Sequence, residues 1–303
     1  MTAVREIAGI AHGSSGLPLE LGLSADIESA LARLIRGSGE QCLSDHAFSN
    51  LYLFRRVHDY RYLPGPYPCV SGRTYDGVRH LMPLVPLREV PASAVQTLLG
   101  DRDCFFPVAH RDVQTLDPQL FVCTQSRDDA DYLYGAANFC DYRGRALAKK
   151  RNLMKQLLAA HKLRCEPYAP ALRQDALAVL DGWMHDKAKG KGEADQAACV
   201  EALQHAPQFG LEGFVHYVDA EPAGFLLAQE IQPTVFVMRF AKGLNAFKGI
   251  YQYMFHHFCT HFDRPVAWLN FEQDMGLANF RRTKLSYQPA SLLEKFRVRL
   301  RAP

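Results

Sequence analysis

Hydrophobic and polar positions along the first half of the chain predict a mixed α/β region. Apolar residues recur with a helical period in Ser24–Arg36 and again in Pro91–Leu99. Between and after these helices, short apolar runs bounded by Gly, Pro and Asp predict strands. The predicted strands are Arg61–Leu63, Cys69–Ser71, Leu81–Leu87 and Cys104–Ala109. A helix, several strands, a helix and a strand therefore make up this half.

The second half has a similar pattern. Its apolar periodicity predicts a strand, two helices, three strands in a meander, a helix, a strand, a helix and a final strand. The bounds are Cys165–Tyr168, Pro170–Lys187, Glu193–Gln208, Gly213–Val218, Ala223–Ile231, Thr234–Phe240, Ile250–Phe262, a strand at Val266, Met275–Ser286 and Ser291–Arg301. Alternation of apolar and basic residues in the last stretch favours a strand there.

The order of elements in the second half matches an N-acetyltransferase-type (GNAT) domain. In that fold, the loop after the fourth strand presents backbone N–H groups to an anion on the acyl donor, which suits a helix N-terminus. The equivalent loop here runs from Lys242 to Gly249 and includes Lys248. It lacks the usual Gln/Arg-x-x-Gly-x-Gly/Ala pattern. We predict an α/β (α+β) protein of two tandem GNAT-like mixed sheets flanked by helices.

A strongly basic stretch lies between the two halves. Eight Lys or Arg residues and no acid occur between Arg143 and Arg164, and the segment is predicted to be helical from Ala146. Lys150 and Arg151 are its candidate anion-binding residues, although a solvated helix face is an equal alternative. The predicted organisation is a flexible N-terminus (1–24), an N-terminal GNAT-like domain (25–140), a basic linker helix (141–164) and a C-terminal GNAT-like domain (165–303).

Composition narrows the class of protein. The chain has 303 residues, 48% of them hydrophobic and 22% charged, with a net charge of +3, which is typical of a globular protein. Its eight cysteines include no C-x-x-C pair, which disfavours a zinc finger. No apolar run approaches the roughly 20 residues needed to span a bilayer. We expect a soluble, cytoplasmic protein, with contact at the inner membrane face as a further option.

The stretch Trp268–Pro289 carries the candidate chemistry. An apolar strand ends in Asn270, Glu272 and Asp274, and a cationic helix follows directly. Ligands of α/β proteins tend to bind at such strand ends. Acyl transfer needs a base for the acceptor, and a carboxylate can supply one. We predict Glu272 as this base and Asp274 as the cap of the helix.

Other residues of this stretch have predicted supporting roles. Asn270 and Tyr287 are candidate donors to the oxyanion and the leaving group. Arg281, Arg282 and Lys284 are candidate phosphate ligands, although a solvated helix face is the alternative for at least one of them. Arg239 lies among apolar residues of a predicted strand, and a buried arginine needs a partner. We predict that this partner is Glu272.

Histidines on the predicted helix Ile250–Phe262 give a weaker signal. His257 and His261 are four residues apart, a spacing that two metal ligands can have. No H-E-x-x-H pattern is present, so core or solvent-facing histidines are the favoured interpretation and no metal is predicted.

Several phrases together resemble the phosphatidylglycerol lysyltransferase C-terminal-domain family. They are SNLYLF from Ser49, DYLY from Asp131, AKKRN from Ala148, FKGIYQYM from Phe247 and LNFEQDMGLANFRRTKLSYQP from Leu269. The resemblance covers about residues 40 to 295. It implies a tandem GNAT fold with the active site in the C-terminal copy. It also implies aminoacyl transfer from a charged tRNA, for which the known acceptors are lipid head groups.

The function expected from the sequence is therefore aminoacyl or acyl transfer without a permanent cofactor. Aminoacyl-tRNA is the favoured co-substrate and acyl-CoA the alternative. An anionic lipid, a peptide or a small molecule is the expected acceptor. A different class remains open: a non-catalytic GNAT-fold module that binds tRNA, a nucleotide or an anionic membrane surface.

Overall fold

The computed structural model describes residues 16–190 and 195–301. The chain forms two compact units, and the boundaries differ from the predicted ones. The first unit runs up to Ala130 and includes the stretch from Leu293 onward, whereas the second runs from Asp131 to Leu292. The first fifteen residues of the predicted flexible N-terminus, and the predicted helix start at Glu193, lie outside the described residues.

The first unit contains a mixed sheet with the strand order β1-β2-β3-β4-β5-β14-β6, numbered along the whole chain. Its strands are β1 (Leu17–Pro18), β2 (Arg61–Leu63), β3 (Cys69–Arg73), β4 (Arg79–Pro83), β5 (Cys104–Ala109), β6 (Phe121–Gln125) and β14 (Lys295–Leu300), and its helices are α1 (Ser24–Leu34), α2 (Phe48–Leu53), α3 (Ala92–Leu99) and α4 (His110–Val113). Val95 and Leu98 of α3 are buried in the same hydrophobic core as Phe105 of β5. This burial is the main stabilising contribution of the amphipathic helix.

The second unit contains a mixed sheet with the order β13-β7-β12-β11-β10-β9-β8. Its strands are β7 (Asp131–Gly135), β8 (Leu163–Pro167), β9 (Leu211–Val218), β10 (Glu221–Gln232), β11 (Val235–Gly243), β12 (Trp268–Asn270) and β13 (Ser291–Leu293), and its helices are α5 (Ala137–Asp141), α6 (Ala148–Ala160), α7 (Arg173–Asp186), α8 (Gln196–His205), α9 (Ile250–His261) and α10 (Ala278–Leu285). The elements follow the predicted order. The predicted fold class of tandem GNAT-like mixed sheets flanked by helices is confirmed.

Each sheet includes one strand from the opposite half of the sequence. Strand β14, near the C-terminus, pairs with β5 and β6 of the first unit. Strand β7 precedes the second half but pairs antiparallel with β12 of the second unit. A strand joins the sheet in which its backbone finds partners, so a domain boundary drawn along the sequence misplaces both strands.

The basic segment predicted as a linker helix at 141–164 contains helix α6, which belongs to the second unit instead of lying between two units. Met154 and Leu157 of α6 are buried in the core that also contains Met254 and Phe258 of α9. Gly249 precedes α9 with a φ of +100°, and a Cβ atom at this position would lie 2.3 Å from the backbone oxygen of Leu153. Only glycine allows the two helices this close approach.

Strands β11 and β12 form the parallel pair of the second sheet. Their pairing covers Val235–Val237 opposite Trp268–Asn270. Beyond this point β11 continues to Gly243 alongside β10, whereas β12 ends at Asn270. The two strands therefore diverge at their carboxyl ends, where ligand sites of α/β sheets are found.

Candidate active site

Arg239 and Glu272 face each other across the gap between β11 and β12. Each lies two residues beyond the last paired position of its strand. Because side chains alternate along a strand, each is on the same face of the sheet as the last paired residue of its own strand. Arg239 Nη1 donates to Glu272 Oε1 at 2.8 Å, and the side chains are 1% and 25% exposed. Gln229 Oε1 accepts from the same guanidinium at 3.3 and 3.4 Å. The prediction that Arg239 pairs with Glu272 is confirmed.

The backbone of Glu272 is held in an unusual conformation. Its φ is +57°, in the left-handed region that side-chain-bearing residues seldom adopt. Its N–H donates to Asn270 Oδ1 at 2.8 Å, and its carbonyl accepts from the Tyr132 N–H at 3.2 Å and from Lys284 Nζ at 3.1 Å. A strained backbone persists only where several surrounding contacts hold it in place. Here these contacts fix the direction of the Glu272 carboxylate.

Asn270 belongs to this support. The side chain is fully buried, and its Nδ2 donates to Asp131 Oδ2 at 3.0 Å while its Oδ1 accepts from Glu272. Because both ends of its amide group are hydrogen-bonded, Asn270 holds the end of β12 in a fixed orientation. Asn270 therefore positions Glu272, and its occupied amide does not suit the predicted role of a donor to substrate.

Asp274 is a structural carboxylate. Burial acts to raise its pKa, but hydrogen bonds from Arg281, Tyr132 and the Gly276 N–H prevail and lower that pKa to about 2. The distances are 2.8 and 2.9 Å from Arg281, 2.5 Å from the Tyr132 hydroxyl and 2.9 Å from the Gly276 N–H. Helix α10 begins only at Ala278 with Leu277 at its cap position, so the predicted capping role of Asp274 is wrong. With this pKa the carboxylate does not exchange protons near neutral pH.

Glu272 has the electrostatics expected of a base. Burial raises its pKa above the ordinary value of 4.5, while Arg239 and Lys284 act in the opposite direction and the Asp131 carboxylate adds to the increase. A raised pKa brings a carboxylate closer to the range in which it accepts and releases protons efficiently. Of the two predicted acids, Glu272 is the one suited to proton transfer.

The three predicted cations of the last helix have different surroundings. Lys284 Nζ donates to the backbone oxygens of Phe271, Glu272 and Gln273 at 2.6, 3.1 and 2.6 Å, so it fastens the helix to the strand end. Arg281 is committed to Asp274. Arg282 is exposed and has no acidic partner among the described residues. Of the three, Arg282 alone fits the predicted role in binding phosphate.

An aromatic cluster lies behind the strand end and includes the predicted donor Tyr287. Its ring stacks on Phe139 with centroids 5.5 Å apart and lies 6.3 Å from Phe271. The Tyr287 hydroxyl accepts from Gln252 Nε2 at 2.6 Å, and the residue is 3% exposed. Burial raises its pKa. Tyr287 is therefore a buried support of the site, and this position does not suit the predicted proton donor to a leaving group.

Lys150 on α6 lies over that aromatic cluster. Its Nζ is 3.8 Å from the centroid of the Tyr287 ring, a cation–π contact. Burial, with a smaller effect of Lys149, lowers the pKa of Lys150 to about 8. No acidic partner lies near it within the described residues. Its neighbour Arg151 instead donates to the backbone oxygen of Tyr142 at 2.6 Å and so stabilises the turn before α6.

The predicted donor loop contains one committed lysine and one exposed lysine. Lys242 Nζ bonds both carboxylate oxygens of Asp195 at 2.7 and 2.8 Å and lies 3.8 Å from the Trp183 ring centroid. This buried ion pair makes Lys242 a structural residue. Lys248 is exposed, and it precedes Gly249 at the start of α9. Lys248 is thus the part of the loop available to an anion, because Gly249 and Ile250, where α9 begins, are buried.

Sequence reasoning missed residues that reach the site from other strands. Asp131 and Tyr132 come from the exchanged strand β7, and Gln229 comes from β10. The phrase DYLY, from Asp131, contributes to the family resemblance, but nothing in its spacing places it beside a segment some 140 residues later. Gln229 follows the apolar run Phe225–Ala228 of β10 and is succeeded by Glu230, so its position in the sequence does not single it out.

Comparison with known proteins adds a family and a fold. A family model described as phosphatidylglycerol lysyltransferase, C-terminal, matches residues 38–299. A conserved protein of unknown function from Bacteroides thetaiotaomicron is 21% identical with a TM-score of 0.77, covering 94% of this chain and 98% of that one.

Two further solved structures are similar to this chain in fold. The C-terminal domain of a putative lysylphosphatidylglycerol synthetase from Agrobacterium fabrum is 13% identical with a TM-score of 0.61, covering 92% of this chain and 93% of that one. L-PGS from Bacillus licheniformis is 12% identical with a TM-score of 0.59, covering 95% and 94%. At these identities the likeness shows the fold.

A search of curated proteins found no significant match. In the part of the chain that the structure describes, no helix combines the length and apolarity that crossing a membrane requires.

Proposed function

The chain belongs to the phosphatidylglycerol lysyltransferase C-terminal family, and from that premise we propose that it transfers an aminoacyl group from aminoacyl-tRNA to a hydroxyl or amine acceptor. Membership of this family supports an aminoacyl- or acyltransferase activity. The observation that carries the proposal is the Arg239–Glu272 pair at the divergence of β11 and β12. The Glu272 carboxylate at this point is partly exposed and has a raised pKa, and the backbone of Glu272 is held in a strained left-handed conformation.

In the proposed reaction, Glu272 acts as the general base. Its carboxylate takes the proton of the acceptor hydroxyl or amine as that group attacks the ester carbonyl of the donor. A bond forms between the acceptor and the acyl carbon, and the bond from that carbon to the ribose oxygen breaks. The proton held by Glu272 passes to the departing ribose oxygen. Glu272 is thus ionised again at the end of the reaction, and the proton of the acceptor is on the ribose hydroxyl.

Arg239 acts through Glu272. Its guanidinium is held by Gln229 on one side and binds the carboxylate on the other, so it fixes the orientation of the base. Its charge also opposes the effect of burial on the Glu272 pKa. Without the Arg239 charge, the carboxylate would stay protonated up to a higher pH. Arg239 is accordingly a positioning residue.

Three cations without acidic partners among the described residues suit the phosphates of the donor. They are Lys150 on α6, Lys248 before α9 and Arg282 on α10. Each lies on an element that adjoins the site residues, and none is engaged in the ion pairs that hold Lys242 and Arg281. The alternative donor, acyl-CoA, would use the same cations for its own phosphates. An anionic lipid, a peptide or a small molecule is the proposed acceptor.

The proposal is tested by offering labelled aminoacyl-tRNAs and labelled acyl-CoAs separately to the purified protein. Vesicles containing phosphatidylglycerol and a mixture of primary amines serve as acceptors. Transfer of label from aminoacyl-tRNA is the expected result. Transfer from acyl-CoA alone would contradict the proposed donor. Steeply salt-dependent tRNA binding with no transfer from either donor would favour the non-catalytic binding module instead.

A further inference from the structure

A sulfur and two imidazoles converge in the second unit, on residues that the proposed reaction does not use. Cys165 on β8 and His216 on β9 are register partners of an antiparallel pair, so their side chains share one face of the sheet. His257 on α9 comes against the same face. One ligand atom from each of the three residues lies within 4.8 Å of the others. The His216 and His257 rings meet edge to face with centroids 5.4 Å apart.

The imidazole nitrogens in this group lack hydrogen-bond partners. His216 is 0% exposed, and neither of its ring nitrogens has a partner among the described residues; Nδ1 of His257 has none either. Buried polar atoms in native proteins are nearly always bonded, so three orphaned nitrogens at one point indicate a missing ligand. Burial lowers the pKa of His216 and a backbone hydrogen bond with Phe214 acts to raise it, but the contact does not meet the ordinary distance and angle limits of a hydrogen bond.

Imidazole binds a metal in its neutral form, through the nitrogen that carries a lone pair. The unpartnered nitrogens of His216 and His257 can serve in this way.

We propose that Cys165, His216 and His257 bind a divalent transition metal of the zinc type. One thiolate and two imidazoles form a donor set that zinc prefers over magnesium or calcium. Ligand atoms of a tetrahedral zinc site lie about 3.3 to 3.5 Å apart, given Zn–S and Zn–N bonds of about 2.3 and 2.0 Å. The three ligand atoms here lie within 4.8 Å of one another, so side-chain rotation can bring them to this spacing.

The surroundings complete the site. The Cys165 thiol donates to the Tyr253 hydroxyl at 3.4 Å. On metal binding the thiol proton leaves to solvent, the S–metal bond forms without any redox change, and the Tyr253 O–H can turn to donate to the thiolate. The exposed His261 ring stacks on His257 with centroids 4.6 Å apart. A water molecule would then supply the fourth ligand.

The metal would connect three parts of the fold. It would join the edge strand β8, its neighbour β9 and the helix α9. This role is structural and independent of the Glu272 chemistry, so the metal site and the proposed transferase activity stand or fall separately. The competing interpretation is plain aromatic packing, since Phe214 also meets His257 edge to face at 4.5 Å.

Cobalt(II) titration of the full chain, stripped with a chelator and kept reduced, tests the site. Co²⁺ reports a sulfur ligand through a thiolate-to-metal charge-transfer band and a tetrahedral geometry through its visible d–d bands. We expect one equivalent to bind, Zn²⁺ to bleach the spectrum, and Zn²⁺ to raise Tm by mass action. A wild-type protein that shows no charge-transfer band and no Zn²⁺-dependent rise in Tm would overturn the proposal.

Matched variants identify the ligands. Cys165→Ser should lose the charge-transfer band, and His257→Gln should weaken Co²⁺ binding at least tenfold. Cys259→Ser, a thiol on the same helix as His257, is the control and should keep the wild-type spectrum. His216 is fully buried and its replacement risks unfolding, so the conclusion depends on the other two. A full band in folded Cys165→Ser would contradict the assignment.

Discussion

Arg239 and Glu272 join two strands that have stopped pairing: the 2.8 Å contact from Nη1 to Oε1 spans the point where β11 and β12 diverge. Backbone hydrogen bonds no longer link the strands there, and a charged pair takes their place. Charge-assisted hydrogen bonds of this kind are stronger than neutral ones. The same contact fixes the direction and the ionisation of the carboxylate on which the proposed chemistry depends.

The pH dependence of transfer should depend on Arg239. Glu272 works in its ionised form, so activity falls as pH drops through its pKa, which burial places above 4.5. Arg239 lowers that pKa, and Arg239→Gln should therefore move the acidic limb of kcat/KM to higher pH. Arg264→Gln, which removes an exposed ion-pairing arginine, is the control. An unmoved acidic limb in Arg239→Gln would show that this pair does not govern the base.

Asp274 should contribute to stability rather than to chemistry. Its pKa of about 2 in the folded protein, against about 3.9 unfolded, corresponds to about 2 to 3 kcal/mol. Asp274→Asn should lose this amount in urea unfolding at pH 7. Since the folded pKa is depressed, the contribution is present above about pH 4 and is lost as pH falls toward 2, so wild type and variant should converge there.

The control for this experiment is Asp141→Asn, which breaks the exposed ion pair with Arg143. Exposed pairs contribute roughly 0 to 1 kcal/mol. Equal losses in the two variants would show that Asp274 is no more than a surface charge.

The sequence predicted the Arg239–Glu272 pair but not the role of Asp274, for physical reasons. A buried arginine needs a carboxylate, and strand alternation offered Glu272 at the next strand end. The partners of Asp274 could not be found in this way. The Tyr132 hydroxyl arrives on an exchanged strand, and α10 starts three residues later than predicted, at Ala278.

The domain boundaries show the same limit. Local periodicity predicted the final strand, which the structure has as β13 and β14, but pairing partners far along the chain decide to which sheet a strand belongs. The apolar stripe of the basic segment likewise predicted α6, while its burial against α9 was not visible in the sequence. The local sequence pattern therefore predicts whether a segment is a helix or a strand. Contacts with residues far along the chain decide to which unit that segment belongs.

Lys150 gives the proposed donor binding its own pH dependence. Burial lowers its pKa to about 8, so the ammonium is lost as pH rises through that value. Binding of tRNA at constant salt should weaken by a few-fold between pH 7 and pH 9. Lys150→Arg should remove this loss because arginine stays charged, and Lys149→Arg should not. Fluorescence anisotropy measures both, and identical pH profiles would exclude Lys150 from the interface.

Gly249 should be less tolerant of substitution than another left-handed glycine of the same unit. Gly210→Ala introduces backbone strain alone, since no atom lies within 4 Å of the added Cβ, and should cost about 1 kcal/mol. Gly249→Ala adds a 2.3 Å clash with the Leu153 carbonyl and should cost about 3 kcal/mol or more. Thermal unfolding compares the two variants. Similar losses would mean that α6 and α9 can separate easily.

The central claim is that Glu272 is the base of a transfer reaction, and one comparison tests it most directly. Transfer from aminoacyl-tRNA is measured for wild type, Glu272→Gln and the exposed control Glu221→Gln, together with the Kd for the donor. General-base catalysis contributes about 10²- to 10⁴-fold. Glu272→Gln should therefore lose at least a hundredfold in kcat/KM with donor affinity unchanged, while Glu221→Gln should match wild type. Full transfer activity in folded Glu272→Gln would contradict the account.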